Sequence, residues 1–389
     1  MSFFKDRNCY MKNYNLSLKE KIAGFNWALL LAICLVVGIG LGMLYSAGSS
    51  TNEPWKWVPK QTIHFFASLL VLLLIALTNL RLWMKYAYWI YGIGVILLLG
   101  VEFFGVVHMG AKRWLPLGPI QIQPSECMKI ALVLVLARYF HGASLDDVRS
   151  FKFMICPLLM VFIPVGLILK QPDLGTAMML VFVSVAIFFL VGVQIWKFML
   201  LFLCGAGALP IVWSFLHDYQ KKRVLTFLNP ERDPLGDGYH IMQSKITLGS
   251  GGFFGKGFMQ GTQSQLSFIP EKQTDFIFTV LAEEFGLLGS LVLYALYMII
   301  IAYGFIVGLK CTSFFGKILA LGLTVNFALY VFINMGMVMG LMPVVGVPLP
   351  LMSYGGTAML TLFIGFGLIE CVSVNKEMVI GRLGSIDDE

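Results

Sequence analysis

FNWALLLAICLVVGIGLGMLYSA, residues 25–47, carries no Asp, Glu, Lys or Arg along its whole length. About 20 consecutive apolar residues let a helix cross the hydrocarbon core of a bilayer, so this stretch predicts a membrane-spanning helix. The basic residues ahead of it (Lys5, Arg7, Lys12, Lys19, Lys21) give it the outline of a signal peptide. Its apolar core is too long for one, however, and no small-residue cleavage pattern follows, so it reads as a retained first span.

Comparable runs recur at 62–79, 84–107, 126–140, 153–170, 174–192, 198–216, 276–308, 315–340 and 351–374. The expected fold is an all-α polytopic membrane protein of about ten transmembrane helices. It divides into an N-terminal segment (1–24), a membrane domain (25–375) and a tail (376–389), with a large loop (217–275) between the seventh and eighth spans. Composition agrees: the 389 residues are 58% hydrophobic and 13% charged, with mean hydropathy +0.82. A soluble domain is about half apolar and about a quarter charged, and no soluble domain of any size fits outside the loop. The seven cysteines include no C-x-x-C pair, which favours small buried hydrophobes over disulfides or metal ligands.

Placing the N-terminus in the cytoplasm puts 15 of the 28 lysines and arginines on that side, which the positive-inside bias favours and which leaves both termini inside. Lys112, Arg113, Lys129 and Lys170 then sit at or beneath the outer surface, against the trend. Cations kept there suit a bound anion; snorkelling toward lipid phosphates is the plainer alternative.

The connection HMGAKRWLPLGPIQIQPSECMKI (108–130) has the Pro and Gly of tight turns and a cationic, aromatic edge of Lys112, Arg113 and Trp114. Glu126 and Lys129 stand three apart on the first turns of an apolar helix, hence on one face, with Ser125 at the expected N-cap. Such a pair is either functional or a structural ion pair pinning two helices. In KQPDLGTA (170–177), Asp173 can cap the following helix, line an outward cleft, or do both. The glycines of GSGGFFGKG (249–257) invite a phosphate-loop interpretation, which fails because Ser250 and Gly257 occupy positions that require Gly and Ser or Thr. DGYHIMQSKITLGSG (237–251) predicts an amphipathic helix with a glycine C-cap.

At EKQTDFIFTVLAEEFG (271–286) a charged approach runs straight into an apolar helix. Asp275 is either its N-cap, a role Thr274 fills equally well, or a carboxylate at the membrane mouth whose apolar neighbours raise its proton affinity enough to act as a base. Asp275 also shares a rough helix face with Thr279 and Glu283. In MPVVGVPLPLMSYGGTAML (342–360), prolines and glycines at membrane depth demand cover by protein or a watery cavity, with Ser353 and Tyr354 as the polar face.

Together GAKRWLPLG, QPSE with Lys129, QPDLGT, RVLTFLNPERDPLGDGYHIMQSKI, EKQTDFIFTVLAEEFGLLG and GVPLPLMSYGG resemble the SEDS family (shape, elongation, division and sporulation), in the same order over about residues 25–375. The elongation branch is the nearer one, with Gln273 and Asn229 as small departures. The resemblance implies a ten-span peptidoglycan glycosyltransferase that polymerises lipid II on the outer face of the bacterial cytoplasmic membrane. It implies a catalytic carboxylate at Asp275 and important residues at Glu126, Lys129 and Asp173. Gln123, Glu271, Lys272 and Ser353, within the same motifs, join Lys112, Arg113, Trp114 and Ser125 as candidate substrate contacts.

The implied partners are a class B penicillin-binding protein and an elongation complex with an MreB-type cytoskeleton. A divalent cation (Mg or Mn) is compatible with a pyrophosphate substrate, while no nucleotide, organic cofactor or nucleic acid is expected. Asp275 would deprotonate the acceptor hydroxyl, Lys112, Arg113 and Lys129 would steady the departing pyrophosphate, and Glu126 would position Lys129. The alternative from another class is a lipid II flippase, since broken helices and buried polar groups serve transport as well. A scaffold for the penicillin-binding protein would leave Asp275 and the cations without a role.

Overall fold

In a computed structural model the chain is a helical membrane bundle described over residues 16–49, 55–108, 111–117, 120–215, 221, 225–227, 229, 236–265 and 271–381. Most of the predicted N-terminal segment, much of the 217–275 loop and the end of the tail lie outside the described residues. In chain order the helices are α1 (Leu18–Ala23), α2 (Trp27–Ser49), α3 (Val58–Ala76) and α4 (Leu80–Phe104). After strands β1 (Val106–His108), β2 (Ala111–Leu117) and β3 (Ile120–Ile122) come α5 (Pro124–His141), α6 (Leu145–Arg149), α7 (Phe151–Lys170), α8 (Leu174–Val191) and α9 (Ile195–Phe215). Then follow α10 (Asp237–Ser250), α11 (Thr262–Gln265), α12 (Ile277–Lys310), α13 (Phe314–Val338) and α14 (Gly356–Val374).

Eight helices among the described residues are long and apolar enough to cross a membrane: α2, α3, α4, α7, α8, α12, α13 and α14. Helices α5 and α9 occupy the predicted fourth and seventh spans without meeting that criterion. Glu126, Lys129 and Arg138 interrupt the apolar character of α5, and the apolar stretch of α9, Ile195–Gly207, is short. Helix α13 is the centre of the bundle, packed against α5, α8, α10, α12 and α14. Its buried face runs from Phe315 and Leu319 to Val338, while α3, α4 and α7 turn residues such as Phe66, Trp89 and Phe162 outward, as lipid contact requires.

Between the residues expected at turns, the 105–123 connection forms a three-stranded antiparallel sheet in the order β1-β2-β3, which the sequence reading did not foresee, with Val106 opposite Trp114 and Leu115 opposite Ile122. A connection beside hydrocarbon must satisfy its backbone N–H and C=O groups internally, and short antiparallel pairing does so.

Helix α12 is broken. At Gly286 the backbone takes φ 64°, ψ −156°, which interrupts the helical hydrogen-bond ladder. The glycine-rich loop after α10 supplies the missing partners. The N–H groups of Lys256 and Gly257 donate to the carbonyls of Glu283 and Glu284, and those of Leu287 and Leu288 donate to Gly252 and Phe253, all at 2.9–3.1 Å. The segment that imitates a phosphate loop is therefore a backbone patch over a discontinuous helix. The carboxylate of Glu283, fully buried, ties the same loop down by accepting from Lys256 Nζ (2.8 Å) and the N–H groups of Gln263 (2.8 Å) and Ser264 (2.9 Å).

The second irregular stretch, 339–355, is held the same way by side chains of three helices. Asn334 of α13 donates to the Val347 carbonyl (2.7 Å), Tyr297 of α12 to Pro350 (2.7 Å), and Gln61 of α3 to Ser353 (3.0 Å).

A Cβ on Gly286 would lie 2.4 Å from the Gly255 nitrogen, in a backbone region closed to other residues. Gly286→Ala is expected to lose about 2 kcal/mol or more of stability. Gly42→Ala, whose Cβ would meet open space on α2, is expected to lose nothing. Thermal unfolding in detergent micelles separates the two.

Candidate active site

Pro124 at the first helical position starts α5 after Gln123, so the N-cap is Gln123 and not Ser125 as expected. Ser125 lies inside the first turn, 2% exposed, and its hydroxyl has no hydrogen-bond partner among the described residues. The next residue, Glu126, points into the bundle. Its carboxylate meets Lys129 Nζ at 2.6 Å and accepts a short hydrogen bond from the Tyr330 hydroxyl of α13, which in turn accepts from Lys129. Lys129 also lies over the Tyr330 ring, 4.2 Å from its centroid. All three side chains are buried. Burying such polar groups is costly unless each finds a partner, and this triad gives every member one. The ion-pair role for Glu126 and Lys129 is thus realised, with Tyr330 as its third member.

Asp173 is the N-cap of α8. Its carboxylate accepts from the Thr176 N–H (3.2 Å) and hydroxyl (2.9 Å), and Gln123 Nε2 approaches it at 3.5 Å. Arg113, on β2, reaches the same turn, with its guanidinium 4.0 Å from Asp173 and donating to the carbonyls of Gln171 and Pro172. Lys112 points elsewhere, its ammonium donating to the Glu102 carbonyl (2.6 Å) at the end of α4, where a helix presents unpaired acceptors. Trp114 is half-exposed on β2, two residues along the strand from Lys112. Lys170 makes an exposed 4.0 Å ion pair with Glu102, of the kind that contributes little.

Asp275 lies in the turn entering α12, partly exposed. It does not cap the helix: the N-cap position is Phe276, with no side-chain cap. The turn is closed by Glu271, whose carboxylate accepts from Gln273 (3.1 Å) and Thr274 (3.1 Å) and whose carbonyl accepts from the Thr274 N–H (3.0 Å). Lys272 turns inward, 4% exposed, and donates to the Ser264 carbonyl (3.0 Å); burial lowers its pKa. Glu271 and Lys272 therefore shape the turn.

Three groups from other elements pin that turn from outside. Asn334 donates to the Asp275 carbonyl (2.8 Å), Ser353 Oγ to the Thr274 carbonyl (2.6 Å), and the Tyr354 N–H to the Gln273 carbonyl (2.8 Å). Ser353 Oγ also accepts from the Leu349 N–H (2.8 Å) and the residue is buried, which makes it a positioning residue.

The predicted residues are linked by α13 and by the Pro/Gly segment. Tyr330 and Asn334 are four residues apart, one turn or about 6 Å along the helix. One holds the Glu126–Lys129 pair and the other the Asp275 turn. At the segment itself, a Cβ on Gly346 would sit 3.5 Å from Asp275 Oδ2, and one on Gly175, two residues past Asp173, would meet the Val345 carbonyl at 2.9 Å. Residues 345–347 thus lie between the Asp275 carboxylate and the capped start of α8. A small cavity of about 20 Å³ lined by Glu126, Lys129, Tyr330, Asn326 and Leu362 adjoins a second one along Pro348–Leu351, sharing Tyr330 and Leu362.

Sequence patterns missed Tyr330, Asn334 and Gln61. Tyr330 and Asn334 were signalled only as polar side chains within an apolar span, which marks a buried hydrogen-bonding role without naming the partner, and Gln61, just outside the predicted run 62–79, carried no such signal. As for the expected divalent ion, no group of three or more His, Cys, Asp or Glu gathers to hold one among the described residues. Asp275 and Asp173 do not form a protein cage for it.

Comparison with known proteins places this geometry. Residues 22–378 match the family described as cell cycle protein, comprising FtsW, RodA and SpoVE. The peptidoglycan glycosyltransferase MrdB of Escherichia coli strain K12 is 45% identical over 342 residues, covering 87% of this chain and 92% of that protein. A solved peptidoglycan synthase complex, described as coordinating polymerization and crosslinking, contains a chain of 32% identity and TM-score 0.78, covering 90% of this chain and 98% of that one. The crystal structure of the rod shape determining protein RodA of Thermus thermophilus matches at 29% identity and TM-score 0.68, covering 90% and 97%. The chain belongs to the FtsW, RodA and SpoVE family and is a bacterial integral membrane protein.

Lys129→Met or Glu126→Leu alone strands a buried charge and is expected to cost roughly 3–5 kcal/mol. The double variant is expected to cost much less than the two combined. A double-mutant cycle by thermal or chemical unfolding measures the coupling, and additive losses would refute a closed ion pair.

Proposed function

We propose that this chain is a peptidoglycan glycosyltransferase that polymerises lipid II into glycan strands during cell elongation. The observation that carries the proposal is the Asp275 turn: an acid held rigidly at the mouth of a broken helix, beside the Asp173-capped turn, in a member of a family whose relatives include named peptidoglycan glycosyltransferases. Both termini lie in the cytoplasm and the Asp275 end of the bundle faces outward, where the sugar portion of lipid II is presented.

In this mechanism the Asp275 carboxylate takes the proton from the C4 hydroxyl of the acceptor N-acetylglucosamine. The freed oxygen pair attacks the anomeric carbon of the donor N-acetylmuramic unit, the bond to the lipid pyrophosphate breaks, and the sugar inverts. A pyrophosphate leaving group needs no second carboxylic acid, so one base together with positive charge suffices. Lys112 and Arg113 are the cations on this face that can exchange their carbonyl partners for phosphate oxygens; 23% of the Arg113 side chain is already exposed. Lys129 is enclosed by Glu126 and Tyr330, and acts through the shape of the site.

The coupling of polymerization and crosslinking in the matched synthase complex supports a class B penicillin-binding protein as partner. An elongation complex with an MreB-type cytoskeleton is part of the same proposal and rests on the sequence resemblance alone. The flippase alternative has no support among the named relatives.

Purified protein, its class B partner, labelled lipid II and Mg²⁺ or Mn²⁺ test this directly. Wild type should form strands, and Asp275→Asn, nearly the same shape, should be slower by about 100-fold or more. Asn334→Ala, which loosens the turn but keeps the carboxylate, should fall between them, by about tenfold through misplacement of the base. Full turnover by a folded Asp275→Asn protein would remove the base role. Absence of strands from wild type with its partner would remove the activity.

A further inference from the structure

At the end of the bundle opposite Asp275 lies a cleft of about 350 Å³ that the polymerase mechanism does not use. Its walls come from three places in the chain. The first two turns of α4 contribute Arg81, Leu82, Lys85 and Tyr86, the last turn of α5 contributes Arg138, and the segment after α14 contributes Ile380. That segment is strapped across the bundle end: the Lys376 carbonyl accepts from the Thr312 N–H (2.8 Å), and the Gly381 carbonyl lies 3.1 Å from His141 Nε2. Ile380 is buried and closes one side. Three cations therefore converge on one concave site whose described lining contains no aspartate or glutamate.

We propose that this cleft binds the phosphate headgroup of an anionic phospholipid, with the diphosphate class represented by cardiolipin preferred. Clustered cations in a pocket between helices at the membrane surface suit lipid phosphates, and three of them suit two phosphates better than one. The surroundings select lipid over a soluble anion or an acidic peptide. Leu82, Tyr86 and Trp89 are 46%, 44% and 72% exposed along the adjoining face of α4, an apolar and aromatic rim on which acyl chains can lie. Tyr86 also sits beneath Lys85, its ring centroid 5.6 Å from the ammonium, which aligns a cation at the headgroup level. A lipid seated here would bridge α4, α5 and the C-terminal strap, and so would link the outer rim of the bundle to its core helix α5. The site is independent of the glycosyltransferase assignment and of every residue placed in the candidate active site.

The test is native mass spectrometry of full-length protein, delipidated in detergent and titrated with cardiolipin in the presence of phosphatidylethanolamine. Wild type should retain one cardiolipin preferentially. Arg81→Gln/Lys85→Gln should bind it about 25-fold more weakly, about fivefold for each cation removed. Lys85→Gln alone, at an exposed position that folding tolerates, should show the single fivefold step. Lys19→Gln/Lys152→Gln removes two exposed charges outside the cleft and should change nothing. Equal retention by wild type and Lys85→Gln, or equal loss in the control pair, would overturn the proposal. So would displacement of the lipid by millimolar inorganic phosphate or by an acidic peptide, which would make this a soluble-anion or protein-docking site.

Discussion

Backbone polar groups inside a bilayer have no water to turn to, and this fold is organised around the two places where its helices nevertheless break. At Gly286 the break is covered by the backbone of the loop 252–257. Along 339–355 it is covered by side chains: Gln61, Tyr297 and Asn334 reach in from α3, α12 and α13 to take up carbonyls. Each unsatisfied group in hydrocarbon costs several kcal/mol, so these few side chains decide where the irregular segments can lie. The Asp275 turn rests on them, since Asn334 holds it on one side and Ser353 on the other.

A consequence is that the candidate base is built on fixed scaffolding despite standing in a turn. A carboxylate that must meet a sugar hydroxyl gains most when its position is set before the substrate arrives. Asn334 does this while sharing α13 with Tyr330, so the buried Glu126–Lys129 pair and the Asp275 turn hang from one helix. Tyr330 and Asn334 thus tie the triad and the Asp275 turn to the same stretch of α13.

The cations divide by what surrounds them. Lys129 is enclosed, Lys272 is turned inward to a carbonyl, and Lys112 and Arg113 lie over the C-terminal ends of α4 and α7. Positive charge at these helix ends offsets the partial negative charge of exposed carbonyls and leaves two of the four near the surface for an anion. On the opposite end, Arg81, Lys85 and Arg138 share a second cleft.

The apolar runs were legible because hydrocarbon imposes a length and a composition that any sequence must display, and each predicted run contains a helix. Asp173 as a cap and Glu126 with Lys129 as a pair were legible too, because both interactions are local, three residues apart. Asp275 was singled out by the sequence, yet its surroundings were not, since Asn334, Ser353 and Gly346 are remote in the chain. The same limit explains the misplaced N-cap at Ser125, the unforeseen sheet at 106–122 and the unforeseen partners of Lys272 and Ser353. Spacing along one helix is a property of the sequence, whereas which carbonyl a lone asparagine or lysine meets depends on how the helices pack, and only the tertiary structure decides that.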